Sequence, residues 1–300
     1  MKKAVLWILA IIITLGAAYY QRKTGPTYPK SISVKLNDST YVLRLVRSLG
    51  LNDRPEVRLA VSDTSIRARL FWKRFRTTDD YAASNFRYMI YPIRSYIMNR
   101  ILGMTEEKGL YAEVPKQPAA GKIQYYIELT DSKGTQTILK NEPVVIRFKG
   151  NVPGYILLPH VFLMFLAMLF STLAGLMSIG RLPRYRRYSV YTLIFLFIGG
   201  MILGPLVQKY AFGDFWSGVP FGWDLTDNKT LIALLFWILA VAMNRKKERP
   251  FYAALAAVVL LIVFSIPHSM LGSELNYSSG EVTRGLAMIL FLKNFKKILN

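Results

Sequence analysis

YILLPHVFLMFLAMLFSTLAGLMSIGRLPRYRR, residues 155–187, decides how the rest of the chain is read. Its first part is apolar as far as residue 179, apart from Pro159, His160 and three small hydroxyl residues. At about 1.5 Å per helical residue, such a run crosses a hydrocarbon core of about 30 Å. Arg181, Arg184, Arg186 and Arg187 follow in a short connection without an acid. Arginines clustered in a short loop stay on the cytoplasmic side, so residue 155 faces outward and the chain re-enters the membrane at residue 190.

Toward the C-terminus, residues 190–207 form a second span, with Gly199, Gly200, Gly204 and Pro205 near its outer end. Gly200 and Gly204 are spaced for close helix contact, and Pro205 removes a backbone donor, which predicts a bent, closely packed outer end. The apolar part of the next segment, residues 231–243, reaches only about 20 Å as a helix. Its helix is therefore expected to begin near Thr226, drawing Asp227, Asn228 and Lys229 to the membrane edge, where a polar turn needs protein or water around it. Arg245, Lys246, Lys247 and Arg249 mark a second cytoplasmic loop, and a further span ends at Pro267 and His268. The spans are thus 155–179, 190–207, 226–244 and 251–268, within a helical region of residues 153–270.

Toward the N-terminus, Lys2 and Lys3 precede an apolar run that ends at residue 20, an N-terminal anchor. Gly16 and Ala18 leave a cleaved signal sequence open as the other reading. Residues 25–152 have a different texture: short period-two apolar runs separated by Gly, Pro, Asn and Asp. Strands are expected at 31–36, 41–46, 57–61, 66–75, 110–114, 122–129, 135–139 and 143–148. Their regular spacing suggests an immunoglobulin-like sandwich. Residues 79–108 fit either a helical insertion or a strand pair. The tail, residues 271–300, ends with Lys293, Lys296 and Lys297 opposite Phe291, Phe295 and Ile298 on a helical wheel. An extracytoplasmic interfacial amphipathic helix is expected there, a sixth span being the alternative. The fold class is a membrane α-helical bundle of about five transmembrane helices with an inserted extracytoplasmic all-β, immunoglobulin-like sandwich domain.

Hydrophobic residues make up 52% of the 300, which agrees with a membrane chain. Lys and Arg number 39 against 18 Asp and Glu, a formal charge of +21. In a soluble protein that excess would suggest nucleic acid; here many of the basic residues mark membrane faces, and no nucleic-acid partner is expected. The absence of cysteine excludes disulfides, thiol catalysis and covalent c-type haem attachment.

The informative connection is KYAFGDFWSGVPFGWDLTDNK, residues 209–229, which sets Phe212, Phe215, Trp216, Phe221 and Trp223 among Asp214, Asp224 and Asp227. Loop orientation puts it on the outer face with the helix ends bearing His160 and His268, the two histidines of the chain. Neutral imidazoles on separate helices can ligate iron or another transition metal. Trp216 and Trp223 offer flat apolar faces for a porphyrin, and Asp224 stands beside them. A smaller metal site would use His160, His268 and a carboxylate, Glu274 or Asp224. Interfacial anchoring is the alternative role for these aromatic residues and histidines.

FGDFW followed by WDLTDNKT resembles the tryptophan-rich (WWD) signature of the haem-handling family of cytochrome c assembly membrane proteins. The resemblance covers residues 155–272. It implies haem held at the outer face by histidines on the helices before and after the signature, the places that His160 and His268 occupy here. Phe212 stands where the family has its first Trp, and SGVPFG replaces a single residue between Trp216 and Trp223.

There is no G-x-S-x-G, H-E-x-x-H or P-loop sequence. The expectation is a non-enzymatic polytopic protein of a bacterial inner membrane, with residues 21–152 and the 208–228 loop outside. Its partners are the lipid bilayer and an envelope protein bound by the β domain. Haem or metal presentation at the outer face is the alternative function, and a transporter or membrane enzyme the next.

Overall fold

A computed structural model describes residues 3–92, 106–268, 270 and 272–283. These residues divide into a helical unit, residues 3–26, 150–276 and 281–283, and a β unit, residues 27–92, 106–149 and 277–280.

In the helical unit, α1 is Lys3–Thr24, α2 is Gly154–Ile179 and α3 is Tyr185–Leu196. A π-helical segment, Phe197–Leu203, joins α3 to α4, Gly204–Phe212. Next come α5, Leu225–Met243, and α6, Pro250–Ser265. Among the described residues, four helices are long and apolar enough to cross a membrane: α1, α2, the continuous Tyr185–Phe212 helix and α5. The last span expected from the sequence stops early. With 16 residues, α6 ends at Ser265 because Ile266 is extended (φ −73°, ψ 120°), the conformation that Pro267 imposes on its predecessor.

Helix α2 packs against α1, α3, the π segment and α6. Small residues set these approaches. A Cβ at Gly200 would lie 2.8 Å from Thr230 Cγ2, so only glycine lets the π segment meet α5 here. Gly204, expected to share this role, has nothing closer than 3.6 Å. The close approach is therefore made one turn earlier. Much of the remaining helix surface is apolar and outward, as at Ile8 (56% exposed), Ile12 (60%) and Leu15 (58%) on α1.

One end of this unit is tied by polar contacts between the two basic connections. Asn244 Oδ1 accepts from Tyr185 Oη at 2.6 Å and from Arg249 N at 2.7 Å, while Arg186 donates to Arg245 O at 2.8 Å.

The β unit contains β1 Lys30–Leu36, β2 Ser39–Leu45, β3 Ser48–Gly50, β4 Glu56–Leu59, β5 Arg67–Arg74, β6 Ala82–Asn85, β7 Arg87–Pro92, β8 Glu106–Glu113, β9 Lys122–Asp131, β10 Gly134–Ile138 and β11 Val144–Lys149. Strands β1 and β2 form a hairpin, β4–β8–β7 a three-stranded sheet, and β3–β11–β9–β5–β6 a larger sheet in which β10 also pairs with β9. The β3–β11 pair is parallel and the other ladders antiparallel. Alternate residues from these sheets, among them Leu36, Leu43, Leu59, Leu70, Ile127 and Ile146, fill one core. In the ambiguous 79–108 stretch, residues 82–85, 87–92 and 106–108 are strands, and 93–105 lie outside the described residues. The amphipathic helix expected in the tail, at residues 286–298, also lies outside them; before it, β12 Glu274–Leu275 pairs with β13 Val282–Thr283.

Candidate functional site

The helical unit holds a cavity of about 350 Å³. Helix α1 contributes Thr14, Ala18, Gln21 and Arg22; α2 contributes His160, Val161, Met164, Phe165 and Met168; Phe264 and His268 come from α6 and the segment after it. The two histidines thus meet at one cavity, at positions far apart in the chain. Val161 and Phe165 line it and are each 41% exposed, so the opening faces the apolar outer surface of the unit. Among the described residues the wall holds no carboxylate; Thr14 Oγ1, on the cavity-lining residue Thr14, is itself buried without a hydrogen-bond partner.

His160 is oriented by the π segment. Its Nδ1 lies 2.9 Å from Gly199 O. A carbonyl only accepts, so Nδ1 carries the proton and Nε2 keeps its lone pair, the tautomer that suits a ligand or acceptor nitrogen. The polar end of the cavity is built on the last carbonyls of α6, which no helical N–H reaches. Gln21 Nε2 donates to Phe264 O and, at 3.4 Å, to Ile266 O. Lys229 Nζ donates to that same Ile266 oxygen at 2.6 Å. Lys229 is 4% exposed, and among the described residues no carboxylate lies within ion-pair distance of it.

The aromatic connection does not form part of this cavity. Asp224 and Asp227 turn inward and fix the loop. Asp224 caps α5, its Oδ1 accepting from Thr226 N at 2.8 Å. Its Oδ2 accepts from Ser273 N at 2.9 Å and Ser273 Oγ at 3.0 Å. Asp227 Oδ2 accepts from Ser217 N at 2.6 Å and from Gln208 Nε2 at 3.0 Å. Asn228 Oδ1 accepts from Val219 N at 2.7 Å. The loop backbone is pressed so close that a Cβ at Gly218 would lie 2.8 Å from Asp227 Cβ. Trp216 is half-buried with Nε1 on Val219 O at 3.1 Å, while Phe215, Phe221 and Trp223 are 54%, 66% and 47% exposed.

No family model matches the chain, and no curated protein or solved structure is similar to it.

The residues expected to form a site are therefore split. His160 and His268 share the cavity; Trp216, Trp223 and Asp224 are absent from its wall. The expected metal set of His160, His268 and Glu274 is not assembled: among the described residues no three His, Asp or Glu side chains converge as metal ligands. Glu274 is buried in the hairpin strand β12, paired with Thr283, and Asp224 spends both oxygens on the helix cap and Ser273. Sequence reading missed Thr14, Gln21 and Arg22. A polar Gln-Arg pair near the C-terminal end of α1, after a long apolar run, was the available signal.

The β unit has a second recess of about 460 Å³, lined by Glu56, Arg87, Tyr91, Tyr111 and Glu113 among others. One of its acids, Glu56, is paired from outside the lining. Arg58 bonds Glu56 at 2.6 Å and Glu107 at 3.1 Å, and Tyr91 Oη donates to Glu56 at 3.2 Å. Partial burial, with Glu107 nearby, pushes the Tyr111 phenol up to about 12, so it stays a neutral hydrogen-bonding group at ordinary pH.

Proposed function

We propose that this chain is a polytopic membrane protein that binds a small, largely apolar ligand in the cavity between α1, α2 and α6, with His160 and His268 as its polar anchors. The observation that carries this reading is the convergence of both histidines on one apolar-walled cavity. The apolar exterior of the helices supports membrane insertion: contiguous exposed apolar surface on this scale suits lipid. The Arg186–Arg245 contact supports a shared cytoplasmic end for the two basic connections. By the same rule residues 21–152, read as an immunoglobulin-like sandwich that docks an envelope partner, lie outside, and Phe215, Phe221 and Trp223 anchor the outer interface.

The test is native mass spectrometry of the purified full chain in a neutral detergent. A co-purifying small molecule is expected on the wild type and is expected to be lost in Ala18→Leu and Met168→Trp, which fill the cavity. Occupancy unaffected by both variants would refute the reading.

Haem ligation is the second reading, favoured by the His160 tautomer together with the shared cavity. It requires no part for Trp216 or Trp223. A Soret band that forms on adding haem and disappears in both His160→Ala and His268→Ala supports it; the absence of a band eliminates it.

A further inference from the structure

We propose that the ligand of this cavity is an amphiphile with an anionic head group, a carboxylate or a phosphate, and an apolar chain. The inference rests on the ligand-binding reading above and adds the chemistry of the head.

Charge at the cavity is one-sided. Its wall contains Arg22, Gln21, His160 and His268 and no acid, and among the described residues no carboxylate pairs with Arg22. Lys229 lies behind this wall. Its ammonium and the Gln21 amide share the Ile266 oxygen, so a buried cation stands one carbonyl away from the lining. Among the described residues no acid pairs with it directly, although Asp224 attracts it through space. Asp224 and Asp227 are taken up by backbone N–H groups, serine hydroxyls and the Gln208 amide. A cluster of cationic and donor groups with no directly paired acid favours an anion, the more so where water is excluded. Charge-assisted hydrogen bonds from a guanidinium to a carboxylate or phosphate are about twice as strong as neutral ones.

Shape supplies the other half. Away from Gln21 and Arg22 the wall is Val161, Met164, Phe165, Met168 and Phe264. Methionines and phenylalanines pack against a flexible chain without requiring one fixed outline. The exposed flanks of Val161 and Phe165 leave the chain a lateral way in from lipid. Anionic charge at Arg22 with an alkyl chain along α2 satisfies both halves at once.

The experiment is a pairwise competition on the full chain in neutral detergent, read by native mass spectrometry. Oleate competes with oleyl alcohol, and dioleoyl phosphatidate with dioleoylglycerol; within each pair the chains match and only the head charge differs. The expected result is a preference of about tenfold for the charged member of at least one pair. That preference should disappear in Arg22→Gln, an exposed position whose change leaves the packing intact. Which pair shows it identifies the head as carboxylate or phosphate. Equal occupancy by charged and neutral members, with both lost in Ala18→Leu, overturns the anionic head and leaves the ligand-binding reading standing. A charge preference that survives Arg22→Gln also overturns the proposal, since the head would then lie elsewhere. Occupancy indifferent to Ala18→Leu and Met168→Trp removes both readings together.

Discussion

Gln21 and Lys229, from α1 and α5, donate to a single acceptor, the carbonyl oxygen of Ile266, at 3.4 and 2.6 Å. Two helices thereby close around the open end of α6, where the helix itself supplies no N–H. Two donors on one oxygen are energetically coupled, because each is partly redundant while the other remains. Gln21→Leu and Lys229→Met, measured singly and together by thermal unfolding in detergent, should give a double-mutant coupling of at least about 0.5 kcal/mol. Additive effects would mean that the shared carbonyl does not link the helices.

Asp227 holds the aromatic loop by accepting from Ser217 N and Gln208 Nε2. Asp227→Leu strands both buried donors, at about 1–3 kcal/mol each, and should release the loop. The expected readout is faster proteolysis between residues 213 and 224 and a weaker near-ultraviolet signal from Trp216. Asp227→Asn keeps one acceptor oxygen and should fall between Leu and wild type.

The contact of Gly200 with Thr230 gives a rescue test. Gly200→Ala would place its Cβ 2.8 Å from Thr230 Cγ2, an overpacking expected to cost about 1–3 kcal/mol. Thr230→Ser removes that methyl and retains the hydroxyl that donates to Thr226 O at 2.9 Å. The double variant should therefore recover most of the unfolding temperature lost by Gly200→Ala.

Much of this organisation is legible in the sequence because it is periodic. Strand β5 alternates buried and exposed residues from Arg67 to Leu70, which is the pattern that reveals a half-buried strand. Strand β6, Ala82–Asn85, has no buried position and so offers no alternation; its partner β5 places it through the ladder from Trp72↔Ala82 to Arg69↔Asn85. The three residues of β3 depend similarly on β11. The early start of α5 follows from simple length, because its apolar residues alone are too few to span. Ser273 meeting Asp224, and α1 completing a cavity with α2, are long-range packing choices that no local pattern encodes. For the same reason the loop's aromatic content suggests a ligand platform, whereas Asp224 and Asp227 serve the fold.

In the β unit, Arg74 forms two hydrogen bonds to Asp79, at 2.6 and 3.0 Å, which hold the Asp79 carboxyl well below its usual value, at about 2. The sign follows directly. A depressed folded pKa favours the native state above the unfolded value near 4, and that contribution fades as pH falls from about 4 to about 2. Carboxyl-carbon NMR of the aspartate-labelled full chain should show one resonance titrating near 2. In Arg74→Gln it should move up toward the ordinary aspartate range; a midpoint unchanged by that substitution would exclude Arg74 as the cause.

His160 provides the most direct test of the cavity itself. Its Nδ1 faces Gly199 O at 2.9 Å, and because that oxygen can only accept, the neutral ring must carry its proton on Nδ1. Most free histidines at neutral pH exchange between tautomers, whereas this one should be locked. In ¹⁵N NMR of histidine-labelled full chain, the His160 Nδ1 should show a protonated, pyrrole-like shift and Nε2 an unprotonated, pyridine-like one. Binding at Nε2 of a group that donates a proton, or of a metal, should move the Nε2 resonance and leave Nδ1 nearly fixed, since Gly199 O keeps its hydrogen bond. Gly199 lies in the π segment, where the wider turn changes which helical N–H groups reach the backbone carbonyls. If the Nε2–H tautomer were found instead, the carbonyl contact would be lost and the ring would present a donor to the cavity, reversing the hydrogen-bond chemistry expected of its ligand.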